Sequence, residues 1–207
     1  MIKKNLHKLI ALGKKLVSSE LTIADGGNLS TYDAQTNEIT ITRSGVCLDE
    51  LEVDSFVSFK LDDEVPAGAS SETAMHLAGY RSRPDFLCLL HFHPQHAILL
   101  ATANIDIKNI TVDHTYYLAG KVARLPFIQP GTQQLANACA EQFIQGSDVL
   151  LLAHHGCLLG SDSMEWALYT ALNLEQAAKM TKMLGNDIQL PECPSSYLDN
   201  LKQAGVV

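Results

Sequence analysis

Two short apolar runs in this 207-residue chain end in histidines. The first closes on His91-Phe92-His93. Side chains two apart on a strand point to the same face, so both imidazoles can reach one ion while Phe92 packs on the opposite layer. On its own, such a pair reads as two ordinary strand-end histidines. The second run changes that reading, because it closes on Ala153-His154-His155-Gly156. Its glycine permits a tight turn that presents the preceding side chain to a neighbouring strand end. Three imidazoles with a fourth position open form a catalytic zinc site. His91, His93 and His155 are therefore expected to hold a divalent metal, with zinc (Zn2+) first among the candidates. His7, His76, His96 and His114 read as surface or supporting groups.

Ser70-Ser71-Glu72 precedes a helical pattern and reads first as a helix cap, its hydroxyls and carboxylate meeting unpaired amide donors. The same geometry suits an anion. Free amides and serine hydroxyls at a helix start can cradle a phosphate, which leaves Glu72 to act as a base on a substrate at the metal. Gly26-Gly27-Asn28-Leu29-Ser30 and Ser44-Gly45 read as further small, hydrogen-bonding turns.

The elements that must position these residues alternate along the chain. Leu6, Leu9, Ile10, Leu16 and Val17 line one face of an N-terminal amphipathic helix. Residues 38–45 and 55–61 alternate like half-buried strands, whereas 87–93 and 148–156 are apolar runs suited to central strands. Residues 71–83, 94–103 and 132–145 read as helices. A last long helix is expected to start near Asp162, which is spaced with Glu165 like a capping box, and to end at Gly185 after Lys179 and Lys182. No repeat, low-complexity tract or linker interrupts the pattern, so residues 1–207 read as one α/β domain.

Composition narrows the function classes. With 46% hydrophobic and 18% charged residues, the chain has ample material for a packed core. A net charge of −8 argues against nucleic acid and anionic membrane surfaces as partners. No apolar run is long enough to cross a bilayer, and His7, Lys8, Lys14 and Lys15 break up any secretory segment near the N-terminus. Five cysteines without a Cys-x-x-Cys pair read as buried thiols of a reducing compartment, which places the protein in the cytoplasm.

Taken in order, Gly26 to Ser30, Thr42-Arg43-Ser44-Gly45, Ser70-Ser71-Glu72 before a helix, His91-Phe92-His93, and His154-His155-Gly156 before a final helix resemble the class II aldolase and adducin family over residues 5–185. The sugar-phosphate aldolases of that family are the most similar. The resemblance implies a three-layer α/β/α fold around a mainly antiparallel sheet, and a homotetramer with active sites between neighbouring subunits. It implies that His91, His93 and His155 bind the metal and that Glu72 is the acid-base carboxylate. Asn28, Ser44, Gly45, Ser70 and Ser71 match its phosphate-binding positions, so a sugar or sugar-phosphate substrate is expected.

Two positions depart from the family pattern. Asp25 stands where a hydroxyl residue is common, which sets a carboxylate against phosphate unless Arg43 offsets it. His114 stands near a tyrosine that donates a proton across the interface, a role that Tyr116 or Tyr117 could fill instead. The reaction implied is retro-aldol cleavage of a ketose, as a 1-phosphate in the first instance, through a metal-stabilised enediolate. Decarboxylation of a 3-oxo sugar acid, dehydration and 4-epimerisation fit the same site. Glutamate rather than aspartate after the serines favours aldol cleavage. A non-catalytic adducin-like module is the alternative of a different class, but such a module has no need of three histidines and a glutamate at these spacings.

Overall fold

The computed structural model describes residues 2–184 and 191–205 and gathers their strands into one seven-stranded sheet. In chain order the strands are β1 (Gly27–Asp33), β2 (Glu38–Thr42), β3 (Phe56–Lys60), β4 (Cys88–Phe92), β5 (Val122–Leu125), β6 (Val149–Leu152) and β7 (Gly156–Ser161). Their order in the sheet is β3-β2-β1-β4-β7-β6-β5. All neighbours pair antiparallel except β5 with β6.

The strand alternation sorts side chains into two apolar layers. Cys88, Leu90 and Phe92 of β4 and Val149 and Leu151 of β6 face α1 (Ile2–Ser18), α3 (Gln95–Thr102), α4 (Val112–Leu118) and α6 (Met164–Leu184). Leu89, Leu150, Leu152 and Leu158 face α2 (Thr73–Ser82) and α5 (Gln133–Ile144). The result is the expected three-layer α/β/α architecture. Phe92 is fully buried in the first layer, as its place between the two histidines requires. A further helix, α7 (Ser195–Gln203), packs on α4.

Several elements differ from the sequence reading. The Gly27-Asn28-Leu29 segment is the start of β1, not a turn. Leu29, Ser30 and Thr31 of β1 are buried on successive faces, so the strand shows no alternation to read. Similarly, β7 runs straight on from His155, and its Gly160 lies flat beneath the Phe86 ring, where a side chain has no room. The long helix is capped by Ser163, whose Oγ accepts from the Trp166 amide at 3.3 Å, rather than by Asp162. Its expected end at Gly185 falls outside the described residues. Cys88, Cys139 and Cys157 are buried free thiols, while Cys47 and Cys193 are partly exposed. No helix among the described residues is long and apolar enough to cross a membrane.

Candidate metal centre

Strand β4 delivers His91 and His93, and the β6–β7 hairpin delivers His155 beside them. One ring nitrogen from each lies within 4.8 Å of the others. His91 is fully buried, and its Nδ1–H donates to the Cys157 carbonyl at 3.0 Å. A carbonyl only accepts, so the His91 proton is held on Nδ1 and Nε2 carries the free lone pair. That Nε2 faces the Nε2 of His93 at 3.1 Å. Burial holds the His91 ring well below its usual pKa, and burial likewise lowers His93. Burial, with help from His93, lowers His155 to about 4. The three rings are thus neutral near pH 7, the form that binds a metal.

The backbone of the hairpin was misread from the sequence. Gly156 does not supply the left-handed residue of the turn; His154 does, at φ 61°. Gly156 is small for a different reason. A Cβ on it would stand 2.6 Å from His93 Cδ2 and 2.9 Å from His91 Cε1. The glycine lets both imidazoles close over the strand end. His93 is steadied from the other side, because Pro94 leads at once into α3, whose His96 and Ala97 amides donate to the Glu175 carboxylate of α6 at 2.9 and 3.0 Å.

Glu72 precedes α2 at the N-cap position, yet its side chain makes no capping bond. Ser70 Oγ accepts from the Glu72 amide itself at 3.2 Å. The carboxylate instead turns into the site, 7% exposed, with Oε2 3.9 Å from His155 Nε2. The Gly131 amide supports it, while burial raises its pKa. Its Oε2 is buried without a hydrogen-bond partner. A sealed carboxylate oxygen beside three neutral imidazoles is an environment that suits a cation, since burying such a group uncompensated costs free energy. The facing nitrogens agree: tetrahedral zinc ligands stand roughly 3.3 Å from one another. The donor set fits a divalent metal.

The serine turns converge beside this centre. Arg43 bridges Ala69, the Ser44 amide donates to the Gly68 carbonyl at 3.1 Å, and the Ser70 amide donates to the Thr42 carbonyl at 3.1 Å. Ser44 and Gly45 are thereby set next to Ser70 and Ser71. Gly45 takes φ +75°, a conformation that suits glycine. Asn28 joins from β1, paired directly with His91 in the sheet. Asp25 lies on the His93 side, where its charge opposes the lowering of that ring's pKa. Arg43 does not meet it, since its Nε donates to the Asp54 carbonyl at 2.9 Å.

His114 is not brought to the triad within this chain. Its ring is fully buried and faces Gln176 of α6 without a well-formed hydrogen bond. Tyr116 and Tyr117 on the same helix are partly exposed and pack on Trp166, with centroids at 5.1 and 4.7 Å. The sequence reading missed the Cys157 carbonyl, a backbone group that no residue type announces. It also missed His76 as a partner of Asn28. Spacing carried that signal, because His76 lies one helical turn beyond Glu72.

Residues 7–181 match the family model described as "Class II Aldolase and Adducin N-terminal domain". The chain belongs to this family. It is 34% identical over 199 residues to the 5-deoxy-D-ribulose 1-phosphate aldolase of Bacillus thuringiensis serovar kurstaki, covering 93% of this chain and 92% of that one. It is 28% identical to the 3-oxo-tetronate 4-phosphate decarboxylase of Haemophilus influenzae, covering 83% of this chain and 84% of that one. A solved L-fuculose 1-phosphate aldolase superposes with a TM-score of 0.84 at 29% identity, covering 97% of this chain and 95% of that one. The protein is thus an aldolase-type enzyme of a metal-dependent class, with a histidine triad able to bind the ion.

Proposed function

We propose that the enzyme cleaves a ketose 1-phosphate into an aldehyde and a three-carbon ketone phosphate, with zinc held by His91, His93 and His155. The observation that carries this reading is Glu72, a buried carboxylate with one unpartnered oxygen 3.9 Å from His155. When bound, the cation supplies the Lewis acidity that polarises the substrate carbonyl and stabilises the negative charge of the enediolate. Burial raises the pKa of Glu72, the direction that suits a group exchanging a proton with the substrate. As the carbon–carbon bond breaks, its electron pair passes to the enediolate and Glu72 delivers a proton to that carbon. A second group takes the proton of the hydroxyl that becomes the aldehyde. The burial of His114 favours Tyr116 or Tyr117 for that role, offered to a neighbouring subunit.

Asn28, Ser44, Gly45, Ser70 and Ser71 bind the phosphate through amides and hydroxyls at the start of α2. Assembly as a homotetramer belongs to the same reading, and Phe127, 55% exposed against His154 in the ligand-bearing turn, is apolar surface that such assembly would cover. The free thiols support a cytoplasmic setting. Decarboxylation of a 3-oxo sugar acid phosphate is the second reading, favoured by the likeness to the Haemophilus influenzae decarboxylase. The test is a screen of ketose 1-phosphates and 3-oxo sugar acid phosphates with zinc-loaded protein, scoring aldehyde and carbon dioxide separately. Aldehyde release from a ketose 1-phosphate is the expected result, and carbon dioxide without aldehyde would replace the first reading by the second.

A further inference from the structure

Behind Asn28 lies a buried chain of side chains that the proposed chemistry does not use. Tyr80 Oη and Ser30 Oγ are 2.7 Å apart, Ser30 Oγ and His76 Nδ1 are 2.7 Å apart, and His76 Nε2 and Asn28 Oδ1 are 2.6 Å apart. Ser30 and His76 are fully enclosed, Tyr80 is 1% exposed and Asn28 is 6% exposed.

The direction of this chain follows from its far end. Among the described residues Ser30 Oγ is the one hydrogen-bond partner of the Tyr80 hydroxyl, so the phenol spends its own proton on Ser30. Ser30 then donates to His76 Nδ1. The ring is neutral, because burial lowers its pKa to about 3, and its single proton therefore sits on Nε2. That proton needs an acceptor, and Asn28 Oδ1 is the one it meets. The Asn28 carboxamide is consequently fixed with its oxygen toward His76 and its NH2 turned away. Reversing the amide would set N–H against N–H inside a sealed site, where an unmet donor is expensive.

The Asn28 side chain stands on the same sheet face as His91. Asn28 and His91 are directly paired across β1 and β4, and opposed residues project from the same face of a sheet. No protein acceptor meets Asn28 Nδ2 among the described residues, and that atom, unlike Glu72 Oε2, is not sealed from solvent. We propose that His76 is a positioning residue: through the Tyr80–Ser30–His76 chain it holds Asn28 as a dedicated donor to a substrate oxygen beside the metal. The idea rests on the site reading above, and it adds that specificity for an oxygen acceptor at this point is set from the interior of the protein.

The test uses the zinc-loaded variants His76→Leu, His76→Asn, His76→Gln, Asn28→Ala and the double variant His76→Leu/Asn28→Ala. His76→Asn keeps a donor or acceptor near Ser30 but is too short to reach Asn28. His76→Gln can still donate to Asn28 Oδ1. The KM for the ketose 1-phosphate is expected to rise about 10- to 100-fold in His76→Leu and His76→Asn, with kcat and zinc content little changed, since one oriented hydrogen bond to an anionic oxygen is lost. His76→Gln should restore most of the affinity. The double variant should be no worse than Asn28→Ala, because His76 acts only through that residue. Additive losses, or a fall in melting temperature with KM unchanged, would assign His76 a purely structural role and overturn the proposal. A second measurement needs no turnover. The Asn28 side-chain amide, identified by its absence in Asn28→Ala, should give one sharp pair of proton resonances at a single 15N shift in the parent and additional or broadened pairs in His76→Asn. An unchanged signal also overturns the proposal, whereas a parent protein that cleaves no ketose phosphate but shows this change refutes only the assigned reaction.

Discussion

Replacing Gly156 with alanine adds one methyl group at the point where β7 leaves the triad. The added carbon would lie 2.6 Å from His93 Cδ2, 2.8 Å from the Phe92 carbonyl oxygen and 2.9 Å from His91 Cε1, against an ordinary contact of at least 3.4 Å. His93 must recede by about 0.8 Å and His91 by about 0.5 Å, or the strand must shift by a comparable amount. The Phe92 carbonyl belongs to the central strand pairing, so its contact is relieved by a shift of β7 on β4, while the imidazoles must recede as well. Overpacking of this kind destabilises by about 1–3 kcal/mol. Zinc affinity should suffer more than the fold, because ligands tolerate displacements of only about 0.2 Å. A 10- to 100-fold loss of affinity is expected, on the scale seen when the groups that orient metal ligands are disturbed. Competition against a chromophoric chelator measures the affinity, and a melt of the metal-free protein measures the fold. Parent-like zinc affinity in Gly156→Ala would show that the two rings are not held against this strand, and the site geometry argued here would be wrong.

Other consequences can be measured separately. Glu72→Gln should keep near-normal zinc content and lose about 10²- to 10⁴-fold in turnover, since the amide preserves shape but carries no exchangeable acid proton; turnover within a few-fold of the parent would move the proton to another group. Asp25→Thr should weaken zinc modestly and leave the KM for a phosphate ester nearly unchanged, because the Asp25 charge acts on His93; a marked tightening of phosphate esters would place its effect at the serine turns instead. In the metal-free protein, stability should fall as pH drops below the ordinary histidine value of 6.5, where the unfolded chain takes up a proton that His76 refuses until about pH 3. His76 alone contributes about 1.4 kcal/mol of that loss at pH 5.5, while the raised pKa of Glu72 acts in the opposite sense. Urea midpoints between pH 7.5 and 5 in the parent and in His76→Leu test this, and equal slopes in the two would mean that His76 is not neutral in the fold.

Much of the site was legible in the sequence because the features that announce it are local. His91 and His93 share a face by the two-residue period of a strand, and Phe92 packs away from them as that period demands. The apolar runs of β4 and β6 stand out for the same reason. What escaped is whatever depends on two distant segments meeting. Leu29, Ser30 and Thr31 carry no alternation because β1 is covered on both faces, so a central strand looked like a turn. Gly156 was read as a conformational residue, whereas its smallness answers to rings contributed by β4. Glu72 has the spacing of a cap, yet its side chain makes no capping bond and turns into the site, which the spacing does not announce. The tyrosines of α4 stayed ambiguous because their use depends on chains beyond this one.

The central position of β4 and β7 in the sheet also sets when the enzyme can acquire its ion. During synthesis the first two ligands emerge together on β4, but the third follows only with the β6–β7 hairpin, after β5 and α5. Until β7 docks along β4, the chain offers only two of the three clustered histidines. Pairing of these strands therefore acts as a checkpoint. An ion held by all three would add to the stability of the finished sheet rather than template its assembly.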